Sequence, residues 1–446
     1  MEGSFFCVFN GARLFLSLHI LMVCFIHEGC PYGVEGKITS HSLSVSSLLP
    51  SPSCSPSTSK VLLQDESRVK WIQSQSSNGS DGLKASAAAS LPAKSGITIG
   101  TGNYVVTIGL GTPKKDLTLA FDTGSNITSI STWTQCKPCA GSCYTLSEPI
   151  FNPSKSSSYA NISCTATSCS QLGISGCSAS TCLYGIQYAD KSYSVGFFAT
   201  EKLTITPKEV IDKFEFGRGQ NNRGLFGKTA RYMGLSNDKI SFVEQTAAKY
   251  GKYFSYCLPS SPSSTGHLTF GKDGRAVSSV SFTPLSTVRQ SSQFYGISIQ
   301  GIAVGGKRLS IPSTVFSSGG AIIDSGTVIS RLPPTAYGAL TTAFRNAMKN
   351  YTMAPALPLL DTCYDFSKES TITVPLITFS FAGGVDADLD PNGIFFIVNA
   401  SEVCLAFAPN QADSNLTIYG NTQQKTFEVV YDVAGGKLGF SSNGCS

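Results

Sequence analysis

Two stretches of the chain repeat one pattern, a pair of apolar residues followed by Asp-[Ser/Thr]-Gly-[Ser/Thr]. They read Ala120-Phe121-Asp122-Thr123-Gly124-Ser125 and Ile322-Ile323-Asp324-Ser325-Gly326-Thr327, with the two aspartates 202 residues apart. One such tetrapeptide is ordinary turn chemistry, and average composition predicts on the order of 0.03 chance copies in a chain this long. Two copies, each behind a strand-like apolar pair, point to two homologous lobes that each supply one loop to a shared centre.

Two carboxylates close enough to share a proton cannot both ionise cheaply, so such a pair titrates in coupled steps and one member stays protonated over its working range. The ionised member can act as general base on a water while the protonated member donates to a carbonyl oxygen. Gly124 and Gly326 let the backbone turn and approach, and Thr123 and Ser325 can hydrogen-bond across the lobes to stiffen both loops. Composition removes the main competitors. Of four histidines, His19, His27 and His41 lie in the first 41 positions, and His267 alone remains in the body. That excludes most Ser-His and Cys-His hydrolases, zinc peptidases of the HExxH type and multi-histidine metal sites. No metal and no cofactor is expected, and His267, at the start of a Gly-His-Leu-Thr strand, reads as structural. The 33 basic and 28 acidic residues leave a net charge of +5 without a basic cluster, so nucleic acid is not an expected partner.

Arg13 precedes thirteen mostly apolar residues, Leu14 to Ile26, which fit a secretory leader and are too short to span a bilayer. Residues 36–60 are rich in Ser and Pro. Residues 61–72 carry apolar positions near helical spacing with charges between them, and 73–98 are rich in Ser, Gly and Ala. This sequence of textures reads as a prosegment: a short helix able to cover a groove, then a cleavable linker. From Asn103 the chain turns to β-rich runs at 104–110, 117–121, 294–304, 373–381 and 427–433, with helical patterns only at 240–250 and 335–349. The expected domains are a signal peptide 1–29, a prosegment and linker 30–98, an N-terminal lobe 99–287 with a Cys-rich insert, and a C-terminal lobe 288–446. Of fifteen cysteines, eleven fall between Cys136 and Cys445, an odd number that suits disulfides with one thiol left over in an exported protein. Sequons at Asn78, Asn126, Asn161, Asn350, Asn399 and Asn415 fit a glycoprotein. A glycan at Asn126, beside the first Asp loop, would argue against a formed groove.

At these residues the chain resembles the pepsin-type aspartic proteases, specifically the plant nepenthesin-like group, from about residue 60 to the end. Further matches are 103–113 (NYVVTIGLGTP), 132–139 (TWTQCKPC), 150–159 (IFNPSKSSSY), 254–259 (FSYCLP) and Ile418-Tyr419-Gly420-Asn421, with Met233-Gly234 as the weaker N-terminal counterpart of the last. The resemblance implies an all-β, bilobal fold of two barrel-like lobes with a few short helices. It implies Asp122 and Asp324 as the catalytic pair, supported by Thr123, Gly124, Ser325 and Gly326, and Tyr188 as the flap residue that closes over substrate. It also implies the disulfides Cys136–Cys139, Cys164–Cys182, Cys169–Cys177, Cys257–Cys445 and Cys363–Cys404. Cys143 would pair with a cysteine whose place is taken by Arg218.

The chain departs from that pattern in its N-terminal half. Residues 126–131 stand as an insertion of about four residues, an even number that keeps strand facing but requires a bulge or register shift downstream. The shift bears on the family's contact between Trp133 and Tyr188. Ala189 and Lys191 replace flap glycines, and Arg231, Tyr232 and Ser236 replace Gly, Leu and Gly near the first Asp loop. The expected function is a secreted, apoplastic aspartic endopeptidase, made as a zymogen, monomeric, and acting at acidic pH on protein or peptide substrates. The alternative is a protease-like extracellular binding or inhibitor protein with little or no activity, and chloroplast targeting is the alternative location.

Overall fold

The alternation that marks the β-rich runs is realised as strands almost where it appears. The computed structural model describes residues 39–48, 58–74, 87–131, 150–187, 193–223, 231–272, 280–288 and 292–445, all within one contact-dense unit, Ile38–Ser446. Tyr188, Trp133, Cys136, Cys139 and Cys143 lie outside the described residues.

In the N-terminal half, Tyr104–Leu110 and Lys115–Asp122 form an antiparallel pair, with Val105 opposite Ala120. A long hairpin, Tyr193–Thr206 with Glu209–Arg223, flanks them, and Thr181–Gln187 extends the sheet. The same sheet continues through Tyr253–Cys257 into the C-terminal hairpin Glu428–Asp432 and Lys437–Ser441, so the last strands of the chain bind the two halves together. Aromatic rings fill this junction: Phe254 stacks on Tyr431 at 4.3 Å, and Tyr295 meets Tyr431 edge-on at 4.7 Å. Such ring pairs add about 0.5–1.5 kcal/mol each beyond their burial. His267 sits in this sheet with Nε2 2.9 Å from Glu428 Oε2. The C-terminal half holds separate sheets of five, four and three strands, and the helix Pro334–Ala347 packs Ala336, Leu340 and Phe344 inward at four-residue spacing. The pattern at 240–250 forms two short helices, Phe242–Gln245 and Ala247–Tyr250.

Ahead of the main sheets, Ser40–Ser44 pairs antiparallel with Thr371–Pro375, and the helix Thr58–Ile72 follows. The Ser/Gly/Ala-rich stretch 73–98 is not linker throughout. Ala89–Ser95 is a strand between Gly266–Phe270 and Tyr104, because Ala89, Leu91 and Ala93 alternate into the core and supply the period of two.

Two disulfide expectations are corrected. The bonds are Cys164–Cys177 and Cys169–Cys182, in place of Cys164–Cys182 and Cys169–Cys177. Cys177 and Cys182 face each other as partners in the hairpin Ser175–Ser178 and Thr181–Gln187, so sequence spacing does not separate them. Burial does: Cys182 and Cys169 lie in one apolar cluster with Ile162, Leu172 and Phe198, whereas Cys177 is exposed and Cys164 half-buried. Each sulfur bonds the cysteine at its own depth. Cys257–Cys445 and Cys363–Cys404 are present.

Within the segment 126–131, Ser129–Ser131 is a short strand. Ser129–Ser131 runs antiparallel to Arg231–Gly234 and parallel to Glu209–Arg223, which shifts register against its other neighbour between Gly219 and Asn221. Arg231 is buried in this lobe, and Arg218 lies over the rings of Tyr159 and Phe197 at 5.7 and 5.6 Å.

Candidate active site

Asp122 ends a strand and Asp324 directly follows one, and a parallel neighbour holds each strand in place. Lys115–Asp122 runs beside Arg231–Gly234, and Leu235 N–H donates to the Asp122 carbonyl at 2.9 Å. Ala321–Ile323 runs beside Thr417–Tyr419, and Asp324 N–H donates to the Tyr419 carbonyl at 3.0 Å. The sequence elements around Met233-Gly234 and Ile418-Tyr419-Gly420 therefore serve one purpose, to brace the turn from behind.

The turns themselves are near mirror copies. Gly124 N–H donates to Asp122 Oδ1 at 2.9 Å and Gly326 N–H to Asp324 Oδ1 at 3.3 Å, while the Ser125 and Thr327 hydroxyls donate to the second oxygen of each. Across the lobes, Ser325 N–H donates to Thr123 Oγ1 at 2.9 Å and Thr123 N–H to Ser325 Oγ at 3.1 Å. Asn421 Nδ2 donates to the Ser325 carbonyl at 3.0 Å. A methyl group on Gly124 would stand 2.8 Å from Asp324 Oδ1, and one on Gly326 would collide with Asp122 Oδ1. Both glycines are thus required by the approach of the opposite carboxylate. Asp122 and Asp324 are 1% and 0% exposed.

A third residue occupies this centre. The helix Thr58–Ile72 lies against the pair and sends Arg68 between them: Nε donates to Asp324 Oδ2 at 2.9 Å, Nη1 to Asp122 Oδ2 at 2.6 Å, and Nη2 to Asp122 Oδ1 and Asp324 Oδ1 at 2.5 and 3.1 Å. One guanidinium therefore engages all four carboxylate oxygens. Burial opposes its charge, and the two carboxylates outweigh burial and hold its pKa up. Burial also pushes both carboxyls up. Asp122, facing the Asp324 charge as well, stays above the ordinary aspartate value despite Arg68, whereas Arg68 and the Thr327 hydroxyl bring Asp324 below it.

The helix is held along its whole length. Val61 and Leu62 pack with Val328, Ile329 and Leu360, and Val69 and Ile72 pack with Phe294, Ile322 and Ile418. Burying each of these side chains fully contributes about 1.5–3 kcal/mol. Asp65, fully inside, accepts N–H bonds from Val328 and from Ile329, the latter at 3.2 Å, and meets Arg331 Nη2 at 3.0 Å. Past the helix end, Gln73 exchanges two hydrogen bonds with the Leu416 backbone.

Of the residues expected from sequence, Asp122, Thr123, Gly124, Asp324, Ser325 and Gly326 converge. Tyr188 lies outside the described residues, and the strands flanking 188–192 pair antiparallel with Gln187 opposite Tyr193. Arg68, Asp65 and Arg331 join the site without being among the residues expected there. The signal existed for the first two, since Asp65 and Arg68 fall on the stripe of Val61, Leu62, Val69 and Ile72 at three- and four-residue spacing. Among the described residues no group of three or more His, Cys, Asp or Glu could hold a metal ion, and no helix is long and apolar enough to cross a membrane.

Comparison with known proteins decides the lineage. An aspartyl protease family protein of Arabidopsis thaliana is 49% identical over 97% of this chain and 99% of its own. The chain belongs to the nepenthesin-like, pepsin-type (A1) aspartic protease family. Aspartyl protease AED1 of Arabidopsis thaliana is 46% identical with the same coverage, and aspartic proteinase nepenthesin-2 of Nepenthes gracilis is 34% identical over 78% of each chain. Family models described as xylanase inhibitor N-terminal and xylanase inhibitor C-terminal match residues 104–272 and 294–442. Among solved structures, edgp superposes with a TM-score of 0.64 at 20% identity, covering 80% of this chain and 95% of that one. Basic 7S globulin from soybean gives 0.62 at 21%, covering 79% and 94%. These likenesses establish the bilobal all-β fold.

Proposed function

We propose that this chain is an aspartic endopeptidase made as an inactive precursor, with Asp122 and Asp324 as its acid–base pair and Arg68 as the plug. The observation that carries the reading is the convergence of two carboxylates, one from each lobe, on a single guanidinium, with Thr123 and Ser325 bonded across the lobes behind them.

With Arg68 withdrawn, the pair holds one proton and a water between the carboxylates. The ionised aspartate takes a proton from that water as its oxygen attacks the peptide carbonyl carbon, and the protonated aspartate donates to the carbonyl oxygen. The tetrahedral intermediate collapses with proton transfer to the leaving nitrogen. The cross-lobe hydrogen bonds hold both carboxylates at the spacing this exchange needs. Tyr188 is proposed as the flap residue over the substrate.

Residues 1–29 serve in this reading as a signal peptide, and the disulfides fit export to an oxidising space such as the apoplast. The helix Thr58–Ile72 belongs to the prosegment. Because Ala89–Ser95 is built into the main sheet, the cut that frees the helix falls between Ser74 and Ala87. The test is binding of a statine-type inhibitor, which presents a hydroxyl to the pair. The acid-processed chain binds it and the intact precursor at neutral pH does not. A folded, processed chain that fails to bind it contradicts the reading and favours a binding protein on the same fold.

A further inference from the structure

We propose that Arg331, together with the backbone N–H groups of Val328 and Ile329, is a recognition site for an acidic side chain of a peptide substrate, filled in the precursor by Asp65. The proposal rests on the peptidase reading and adds to it a preference at one position of the substrate.

The site is already shown with a carboxylate in it. Asp65 receives both N–H bonds and the Arg331 guanidinium, and Glu66 Oε2 lies 3.1 Å from the same Nη2. Arg331 is positioned from its own strand, since Nη1 donates to the Ile329 carbonyl at 2.7 Å. The segment Val328–Arg331 follows directly on the second Asp loop, so these donors line the cleft that the helix fills. Asp65 precedes Arg68 by three residues, about 4.5 Å along a helix axis, which places the subsite within a few residues of the scissile bond for an extended peptide at about 3.3 Å per residue.

Removing the helix takes both carboxylates from a guanidinium that is 1% exposed in the precursor. A cation in a partly desolvated groove lacks compensation, and a planar guanidinium flanked by two N–H donors matches a carboxylate better than any neutral side chain. On the helix side the charged groups are Asp65, whose carboxyl burial pushes up against the opposing pull of Arg331 and the two N–H donors, Glu66, Lys70, bound to Glu66 at 3.6 Å, and Arg68, held by Asp122 and Asp324; the segment that bears Arg331 contributes Asp324 at its start. A substrate Asp or Glu is ionised only above about pH 4.

The full-length chain, activated by acid, is used to digest a mixture of unfolded proteins at pH 5.5 and pH 3, and cleavage sites are mapped by mass spectrometry. The expected result is enrichment of Asp and Glu at one fixed position from the scissile bond at pH 5.5, reduced several-fold at pH 3 and lost in Arg331→Gln. Should that variant fail to fold, a synthetic peptide pair differing only by Asp or Asn at the enriched position reads the same property on the unmutated enzyme. KM for the Asn peptide is then about tenfold higher. Inhibitor-sensitive cleavage with no acidic enrichment, or with equal KM for the pair, overturns the subsite and leaves the peptidase reading intact. A folded, processed chain that gives no inhibitor-sensitive cleavage overturns the peptidase reading, and this proposal falls with it.

Discussion

Arg68 and Asp324, 256 residues apart in sequence, meet with Nε 2.9 Å from Oδ2. The contact joins a helix ahead of the main sheets to a loop of the C-terminal half, and through Nη1 and Nη2 the same side chain reaches Asp122. A water cannot stand between the carboxylates while a guanidinium does, so in the proposed function chemistry waits on the departure of this one side chain.

Arg68→Gln removes the charge and most of the four bonds while keeping the apolar stripe of the helix. Charge-assisted bonds of this kind contribute about 1.5–3 kcal/mol each, so the open fraction of the precursor rises by about 10²-fold or more. Titrating the intact variant with a statine-type inhibitor at pH 7 should detect binding that the wild type lacks; equal, negligible binding by both contradicts the latch.

Acid should open the latch. While Arg68 is bound, Asp324 stands below the ordinary aspartate value, and the helix's departure removes that positive charge from both carboxylates and lets the pair share a proton. Asp122 is already raised while Arg68 is bound, so the acid dependence comes from Asp324: its stabilisation of the closed form is fully present above its ordinary value, about 3.9, and is lost as pH falls through its depressed value. Inhibitor binding by the intact chain should stay low from pH 7 to about 4 and rise as pH falls further toward 3, and a flat or opposite profile counts against the assignment.

Asn126 carries a sequon, yet its side chain is committed inside the fold. Nδ2 donates to Gln293 Oε1 at 2.6 Å and Oδ1 accepts from the Ser236 hydroxyl at 2.8 Å. Glycopeptide mapping after expression in a secreting host should find Asn126 unmodified, while Asn161, Asn350 and Asn399 are exposed and available.

The bond Cys257–Cys445 spans 188 residues and ties a central strand to the C-terminus. Replacing both cysteines with serine should cost about 2–5 kcal/mol in urea unfolding. Non-reducing peptide mapping of the same material should recover Cys164 linked to Cys177 and Cys169 linked to Cys182.

Much of this molecule is legible in its sequence because the informative residues are local. The Asp loops, the β-rich body and the helix at 61–72 each depend on short-range pattern, and family resemblance supplies Cys257–Cys445 and Cys363–Cys404. What escaped depends on partners far away in the chain. Asp65 and Arg68 fall on the apolar stripe of their helix, which marks them as facing inward, but what each meets there, Arg331 for one and two carboxylates for the other, is set by residues more than fifty positions away. The disulfide exchange escaped because Cys177 and Cys182 face each other across a hairpin, and only depth in the lobe separates their partners. Ala89–Ser95 was hidden by small residues whose alternation is weak in hydrophobicity though clear in burial.

The central claim is that Asp122 and Asp324 form a working peptidase pair. It is tested most directly by measuring cleavage of an unfolded protein at pH 3–5 by the acid-activated chain and by Asp324→Ala, with and without a statine-type inhibitor. We predict inhibitor-sensitive cleavage by the wild type and a loss of about 10⁴-fold or more in the variant. Cleavage that persists in folded Asp324→Ala, or none from a folded wild type freed of its helix, would contradict the account.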